Sequence, residues 1–478
     1  MPFRNACRPV STLVVPLVLA AVATAQFETR TSVPIQRPGA IAIGDFNHDG
    51  KLDVAVASDS DYTKVMVLLG NGDGTFKPPV LYSAGDEPVA IATADFNHDG
   101  NLDLVVGNFL SSNISVLLGN GDGTFQAPVY YDLPALGSAT FVAVADFNND
   151  GKLDVAVVDQ GSCGGKGECI VIFLGNGDGT FQTPSIDTPT GFDLNEFAVG
   201  DFNHDGNLDL AVSEFYGGAS QLQILLGNGD GTFSQGAAYL SGLLPTDVQA
   251  AYLAKDQNLD LVVSEVNGTG MAVLLGNGDG TFRGPTTYPP VTSWLTVADF
   301  DGDGVADVVA TEFNMGSQAV IFLGNGDGTF QPAKTFGTGR DPGFIATADF
   351  NKDGKPDLVF ADGGPRVYYV ATMLNTGVVT FSPTTPLNFK KVTVGTTSPP
   401  QTVTLTNTGK SALTISSMKS TGQFGMTSTC GTSVAAGANC AINVTFSPQS
   451  KGPKGGTVTI RDSASSKPQV IELSGVGT

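Results

Sequence analysis

Histidine, cysteine and tryptophan are scarce in this chain. Its 478 residues include 3 histidines, 5 cysteines and 1 tryptophan. His48, His98 and His204 all occupy the fourth position of a recurring acidic segment, where a side chain is expected to point to solvent. Because no nucleophile or general base stands in a recognisable constellation, the sequence predicts a protein that is not an enzyme.

Basic residues and long apolar runs are also scarce. Lys and Arg total 24 against 46 Asp and Glu, a formal net charge of −22, so nucleic acid is not an expected partner, because phosphate contacts need clustered basic side chains. The apolar run 13–22 follows Arg4 and Arg8 and precedes "ATA", a pattern that predicts a signal peptide over 1–25. No later run approaches the roughly 20 apolar residues of a membrane span. We therefore expect a secreted protein, extracellular, periplasmic or on the cell surface, without a transmembrane segment.

The cysteines fit an exported chain. Cys7 lies in the predicted signal peptide, and the other four form two closely spaced pairs, Cys163 with Cys169 and Cys430 with Cys440. Such pairs favour disulfides in an oxidising compartment. Zinc is a weaker alternative, because neither pair has the two-residue spacing of a zinc hook and no histidine is near.

An acidic segment recurs along most of the chain. It reads "DFNHDGKLD" from Asp45 to Asp53, and a damaged copy spans 252–260. The other intact copies begin at Asp95, Asp146, Asp201, Asp299 and Asp349. Seven units at intervals of 47 to 55 residues indicate a repeat protein. Because 19 of the 46 acidic residues lie in the six intact copies, much of the acidity belongs to this motif.

We call each copy an acid loop. In D-x-N-x-D-G-x-x-D, the side chains at positions 1, 3, 5 and 9 and the carbonyl at position 7 can converge on one ion, and such hard oxygen ligands select Ca²⁺. The alternative is a metal-free Asx turn, which does not by itself require the aspartate at position 9. The predicted calcium ligands are Asp45, Asn47, Asp49, Lys51, Asp53, Asp95, Asn97, Asp99, Asn101, Asp103, Asp146, Asn148, Asp150, Lys152, Asp154, Asp201, Asn203, Asp205, Asn207, Asp209, Asp299, Asp301, Asp303, Val305, Asp307, Asp349, Asn351, Asp353, Lys355 and Asp357.

The fifth copy, "YLAKDQNLD", lacks the first two ligands and the glycine. We predict no calcium there, and a unit held by packing alone.

A second motif, "GNGDGTF", follows the acid loop by about 20 residues in the first six units, and in the seventh it is eroded to "NTGVVTF" ending at Phe381. We call it the glycine turn, because Asn-Gly and Asp-Gly steps supply the positive φ of tight hairpins. Each unit then contains four short strands and no helical periodicity, which predicts an all-β fold with a seven-bladed β-propeller over 26–381. The segment 27–35 resembles a fourth strand without the preceding three and is predicted to complete the seventh blade.

The composition changes from Ser382 onward. Acid loops disappear, Ser, Thr, Pro and Lys increase, and six alternating segments are separated by turns. This pattern predicts an Ig-like β-sandwich over 382–478 that directly abuts the propeller.

The two motifs and the period resemble FG-GAP/VCBS repeats, which form the calcium-binding propeller of integrin α subunits and of many secreted bacterial proteins. The tail, with "LNFKKVTVGTTSPPQTVTLTNTG" and "CAINVTFSP", resembles the Ig-like domains of the ASPM/SPD/Hydin class. The resemblance implies adhesion or ligand binding and identifies no ligand.

The leading functional hypothesis is a monomeric, calcium-stabilised interaction or adhesion protein that binds an extracellular protein or carbohydrate ligand. A lectin is the second hypothesis and a calcium-dependent polysaccharide lyase the third. The connections opposite the acid loops differ from unit to unit and are free to recognise a ligand. Glu214, Glu265 and Glu312 follow the last acid-loop aspartate by five residues and are predicted to contribute to a partial acidic ring on that face.

Overall fold

The computed structural model describes residues 27–35, 38–58, 63–134, 137–161, 167–183, 185–190, 193–214, 220–240, 243–266, 270–312, 318–338, 342–362, 368–375, 379–382, 387–407, 412–463 and 468–478. The predicted signal peptide 1–25 lies outside these ranges, as do Cys163 and most of the connections opposite the acid loops. In the described ranges the chain forms strands and no helices, which confirms the all-β class. In particular, none of them contains a helix long and apolar enough to cross a membrane.

Seven four-stranded antiparallel sheets form the repeated part of the described chain. The first three sheets contain β2 Pro38–Gly44, β3 Asp53–Ser58, β4 Lys64–Leu68 and β5 Val80–Ser83; β6 Pro88–Ala94, β7 Asp103–Asn108, β8 Asn113–Leu117 and β9 Val129–Asp132; β10 Ala139–Ala145, β11 Asp154–Asp159, β12 Cys169–Phe173 and β13 Ile186–Pro189. The next three contain β14 Leu194–Gly200, β15 Asp209–Glu214, β16 Gln221–Gly227 and β17 Phe233–Tyr239; β18 Pro245–Ala251, β19 Asp260–Glu265, β20 Met271–Gly276 and β21 Phe282–Tyr288; β22 Thr292–Ala298, β23 Asp307–Glu312, β24 Gln318–Phe322 and β25 Lys334–Gly337. The seventh contains β26 Pro342–Ala348, β27 Asp357–Asp362 and β28 Tyr368–Asn375, together with β1 Phe27–Ile35.

The sheets stack face to face in a closed order. The first strand of each sheet contacts the first strand of the next, and β26 contacts β2. Second strands such as β3 and β7 are buried at every residue, whereas outer strands such as β5 are mostly exposed. Hydrophobic clusters combine residues of neighbouring sheets, so that each sheet buries both faces. The arrangement is propeller-like, with the first strands around the centre.

The ring closes with the N-terminal strand, as the sequence predicts. β1 pairs antiparallel with β28 at the outer edge of the seventh sheet. Its first residue, Phe27, stacks on Phe336 with ring centroids 4.7 Å apart and meets Phe300 edge to face. Strands from both ends of the repeated part therefore share one sheet.

The C-terminal part consists of two sheets around one core. A four-stranded sheet contains β29 Val379–Ser382, β31 Gln401–Asn407, β33 Phe424–Ser428 and β35 Asn439–Phe446, and a five-stranded sheet contains β30 Leu387–Val392, β32 Leu413–Ser420, β34 Ser433–Val434, β36 Gly452–Asp462 and β37 Gln469–Gly477. The predicted Cys430–Cys440 disulfide is present within this core. Cys169 is buried, and its predicted pairing with Cys163 stays a prediction.

The boundary between the two parts differs from the predicted one. Phe381 was assigned to the seventh repeat from its "VVTF" ending, but β29 pairs with β31, and Phe381 packs against the C-terminal core. Because β1 supplies the fourth strand of the seventh sheet, β29 is free to join the next sheet. The two parts abut: Lys355 Nζ, in the last acid loop, donates a hydrogen bond of 3.2 Å to the carbonyl of Ser463.

Deletion of residues 27–35 should lower the melting temperature markedly, because β28 would lose its antiparallel partner and expose an unpaired edge. The milder change Phe27→Ala should cost about 2 kcal/mol of unfolding free energy, since it removes two aromatic contacts at a half-buried site. Thermal denaturation followed by circular dichroism measures both. An unchanged melting temperature in the deletion variant would show that closure by β1 is dispensable.

Candidate functional site

The acid loops are tight turns in which side-chain oxygens accept hydrogen bonds from the backbone of the same loop. In the first loop, Asp45 Oδ2 accepts from Gly50 N at 2.7 Å, Asn47 Oδ1 from Asp49 N at 2.9 Å, and Asp49 Oδ1 from Lys51 N at 2.9 Å. The loops that begin at Asp95, Asp146, Asp201 and Asp349 repeat this pattern. Each carboxylate oxygen keeps a further lone pair, so the same groups can also ligate a cation.

The aspartate at position 9 has a structural role in addition to its predicted role as a ligand. Asp53 is fully buried; its Oδ2 accepts from Phe46 N at 2.9 Å, and its Oδ1 accepts from Gly70 N at 2.7 Å. Gly70 begins the glycine turn, so one carboxylate joins the acid loop to the glycine turn of the same unit. The equivalent residues bond in the same way: Asp103, Asp154, Asp209, Asp260, Asp307 and Asp357. The fold thus accounts for this aspartate even without a metal, a role that sequence reasoning missed.

Burial raises the pKa of these aspartates above their usual range. The pKa of Asp53 rises to about 6, mainly by burial, and the charges of Asp49 and Asp45 raise it further, whereas the two backbone hydrogen bonds oppose the shift. In the sixth and seventh loops, burial raises the pKa of Asp307 and of Asp357 to about 7. Ionised carboxylates therefore crowd a buried one in each loop, an arrangement that a cation would relieve.

The ligand set fits Ca²⁺. The sixth loop brings carboxylate oxygens of Asp299, Asp301 and Asp307 within 4.8 Å of one another. Hard oxygen groups on a turn with positive-φ glycines, such as Gly304 at φ 79°, are what calcium loops require. Ligation itself stays a prediction for all six loops.

Neighbouring acid loops are connected to one another. The carbonyl of Phe46 accepts from Gly123 N, in the glycine turn of the next unit, at 2.9 Å. His48 Nε2 lies 2.9 Å from Asn101 Oδ1 of the next acid loop. The histidines at position 4 are exposed, as predicted, but His48 and His204 also bridge adjacent units. This end of the ring is therefore one continuous hydrogen-bonded surface.

The fifth unit is not held by packing alone, and that part of the prediction is wrong. Asp260 keeps the bonds of position 9, accepting from Leu253 N at 3.0 Å and from Gly276 N at 2.9 Å. Arg283 lies 3.7 Å from Asp256 in the same loop. A cationic side chain of the fifth unit therefore lies near the loop in which the predicted calcium ligands are missing.

The strand-end acids predicted to bind a ligand are largely buried. Glu265 is fully buried, Glu214 is 7% exposed, and Glu312 is partly exposed. Glu214 accepts a hydrogen bond from Gln221 Nε2 at 2.9 Å, whereas neither carboxylate oxygen of Glu265 has a hydrogen-bond partner among the described residues. A partner on the surface cannot touch Glu265 in this conformation, because the sevenfold packing covers the ends of the second strands.

A cavity at the centre of the ring contains residues that sequence reasoning missed. It has a volume of about 210 Å³ and is lined by first strands of all seven sheets. Its lining includes the third residue of each first strand, namely Ala40, Ala90, Phe141, Glu196, Asp247, Trp294 and Phe344. The signal was present in the sequence: this position varies from alanine to tryptophan, while the next residue is apolar in every unit, as in Ile41 and Leu295.

The family of this chain follows from its repeats. The FG-GAP-like repeat family matches residues 45–106, 100–157, 146–212, 253–310 and 299–360, more than half of the sequence. The chain is an FG-GAP-like repeat protein. Residues 376–470 match the domain described as abnormal spindle-like microcephaly-associated, ASPM-SPD-2-Hydin, or ASH. Both resemblances predicted from the motifs are confirmed.

Two solved structures similar to parts of this FG-GAP-like repeat protein illustrate its two regions. The ASH/PapD-like domain 7 of human CEP192 is 15% identical and covers 21% of this chain and 84% of that chain, with a TM-score of 0.18. The periplasmic gluconolactonase PpgL of Pseudomonas aeruginosa is 15% identical and covers 63% of this chain and 86% of that chain, with a TM-score of 0.45. No curated protein matches the sequence significantly.

The prediction that the chain is not an enzyme has to be corrected. The gluconolactonase among the matched structures is an enzyme, so the match removes the exclusion, although at this level of likeness it assigns no activity to this chain. The exclusion depended on the lack of a recognisable nucleophile or general base, because all three histidines lie in acid loops. It overlooked Glu196 and Asp247, two buried carboxyl groups in the central cavity.

Asp260→Asn should destabilise the protein by roughly 1 to 3 kcal/mol, because asparagine has one acceptor oxygen and leaves a buried backbone amide unsatisfied. Urea denaturation measures the loss, and metal analysis should show the same calcium content as wild type, since the fifth loop is predicted to bind none. Asp256→Asn, which changes an exposed carboxylate of the same loop, is the matched control. Equal stability of the two variants would contradict a structural role for position 9.

Glu265→Gln tests the buried strand-end acid through the pH dependence of stability. Burial raises the pKa of Glu265 to about 7. The unfolded chain releases this proton near its ordinary pKa and the folded chain near the raised value, so wild-type stability should fall as pH rises between these two values, by roughly 3 kcal/mol. The variant lacks this loss of stability. The melting temperature of the variant minus that of wild type should therefore increase between pH 5 and pH 8. Parallel curves for Glu265→Gln and wild type would disprove the assignment.

Proposed function

We propose that this FG-GAP-like repeat protein is an exported, calcium-stabilised binding protein. Its seven sheets are the blades of a seven-bladed β-propeller over 27–375, and the C-terminal part is an Ig-like β-sandwich. Six of the acid loops hold one Ca²⁺ each on one face, and the opposite face binds an extracellular protein or carbohydrate ligand.

One observation carries the calcium part of the proposal. In the intact loops, partly exposed carboxylates face a buried aspartate whose pKa is raised by burial and by those same carboxylates. A divalent cation bound among them would neutralise charge that the fold otherwise holds at a cost. Bound calcium would also stabilise the hydrogen-bonded surface formed by neighbouring loops, because binding to the folded state alone adds to stability.

The ligand part depends on the contrast between the two faces. The loop face is fixed by repeated hydrogen bonds, whereas the opposite connections differ in sequence from unit to unit. The described connection between β7 and β8 presents Leu110, 58% exposed, beside Ser111 and Ser112. A glycan array with calcium and with EDTA tests the carbohydrate class: signals lost in EDTA support it, and an empty array favours a protein partner.

Metal analysis tests the calcium sites directly. Protein dialysed to equilibrium against Ca²⁺ at a concentration well above the expected dissociation constants should bind six ions in excess of the dialysis buffer, and Asp99→Asn should reduce the count by one. The matched control is Asp122→Asn, which removes the same charge from a glycine turn, where Asp122 accepts from Thr124 N at 2.9 Å. Chelation should lower the melting temperature of wild type, because such extracellular sites bind at roughly 0.1 to 1 mM. A calcium-free protein, or equal counts in the two variants, would refute the sites.

A further inference from the structure

The central cavity is a built feature rather than a gap between sheets. In all seven first strands the pairing with the second strand shifts register at the second or third residue, as between Pro38 and Ile41 and between Pro245 and Val248. Such bulges re-aim side chains and are common next to functional sites. The bulge lies next to the third residue, which lines the cavity in every first strand, and in five of the seven strands the fourth residue lines it as well.

An acid pair forms one side of this cavity. Glu196 is 8% exposed and Asp247 is 3% exposed, and their carboxyl groups hydrogen-bond to each other. Asp247 Oδ2 also accepts from Leu295 N at 2.7 Å, and Oδ1 accepts from Gln249 Nε2 at 3.3 Å. Burial raises the pKa of both groups, that of Asp247 to about 6. The interaction with Asp247 raises the pKa of Glu196 as well, whereas the hydrogen bond from Glu196 lowers the pKa of Asp247. Glu196 is therefore the donor of the pair and Asp247 the acceptor.

The negative charge of this pair has no basic partner in the cavity. The residues that line it include no Lys, Arg or His. A buried carboxylate without a cation is costly even when it is hydrogen-bonded. A positively charged ligand would offset that cost.

Aromatic side chains occupy the neighbouring positions of the ring. Phe141 precedes the acid pair, and Trp294 and Phe344 follow it; the last two stack with centroids 3.9 Å apart and planes at 30°. Aromatic faces attract organic cations. On the other side of the cavity, the small side chains of Ala40 and Ala90 leave room for a ligand. Thr140 Oγ1 is buried there and has no hydrogen-bond partner among the described residues, so it can bond to a ligand.

We propose that the central cavity binds a small organic ammonium ion, with the Glu196–Asp247 pair as its counter-ion and Trp294 and Phe344 as its aromatic wall. A volume of about 210 Å³ holds roughly seven water molecules, which limits the ligand to a compound of about the size of choline. A bare divalent ion fits less well, because Glu196 and Asp247 are the only carboxylates among the residues that line the cavity, whereas a calcium site takes six to eight oxygen ligands. The residues that line this site include none of the predicted calcium ligands of the acid loops.

Trp294 makes the test direct, because it is the only tryptophan of the chain. Choline is titrated into the calcium-loaded full chain while tryptophan emission is recorded, and calorimetry gives the affinity. The neutral isostere 3,3-dimethylbutan-1-ol has nearly the same shape without the charge. Choline should change the emission saturably, and the isostere should bind at least tenfold more weakly.

Variants locate the charge. Asp247→Asn should weaken choline binding at least tenfold, because it removes the counter-ion, whereas Glu196→Gln should stay within a few-fold of wild type, because glutamine still donates to Asp247. Asp132→Asn, an exposed acid on β9, controls for the change in net charge, and melting temperatures confirm that each variant is folded. Absence of choline binding, equal binding of the isostere by wild type, or undiminished binding by folded Asp247→Asn would overturn the proposal.

Discussion

The repeated part of the molecule depends on one buried carboxylate per unit. This aspartate accepts one hydrogen bond from the start of the acid loop and one from the first residue of the glycine turn, so it fixes the two turns of a unit relative to each other. The neighbouring unit then attaches through a backbone bond from its glycine turn to the same loop. Position 9 survives in the fifth unit, where positions 1 and 3 are lost, which shows that the fold needs it more generally than the metal does.

The calcium proposal follows from the electrostatic consequence of that constraint. A carboxylate that must be buried to bond two amides is expensive to ionise, and the other carboxylates of the loop make it more so. A cation bound among these carboxylates attracts each of them and so offsets their mutual repulsion. The net charge of −22 and the stability of the ring are therefore linked: without cations, the loop face concentrates negative charge at one end of the molecule.

Sequence reasoning succeeds where the physical cause is local. The acid loop, the glycine turn and the missing fourth strand of the seventh sheet are each visible within about ten residues, and the structure confirms the loop–strand arrangement and the closure by β1. Sequence reasoning fails where the cause is a contact between residues that are far apart in the sequence. The burial of Glu265 and the reassignment of Phe381 depend on which strand covers a neighbouring edge. The pairing of Glu196 with Asp247 arises only when residues about 50 positions apart are brought together by the stacking of two consecutive sheets.

Ring closure also explains why variation is tolerated at one end of the first strands and not at the other. At the acid-loop end, each strand leads into a turn that is bonded to its own unit and to the next, so changes there would break several hydrogen bonds at once. At the third residue, seven side chains meet around a shared space, and each bonds mainly to its ring neighbours or to none. A substitution at this position alters the chemistry of the cavity and leaves the sheets in place. The fold thus combines turns that are repeated from unit to unit with a central position at which the charge, the aromatic surface and the volume of the side chain differ between units. In this chain, the acid pair and the neighbouring Trp294 occupy that position.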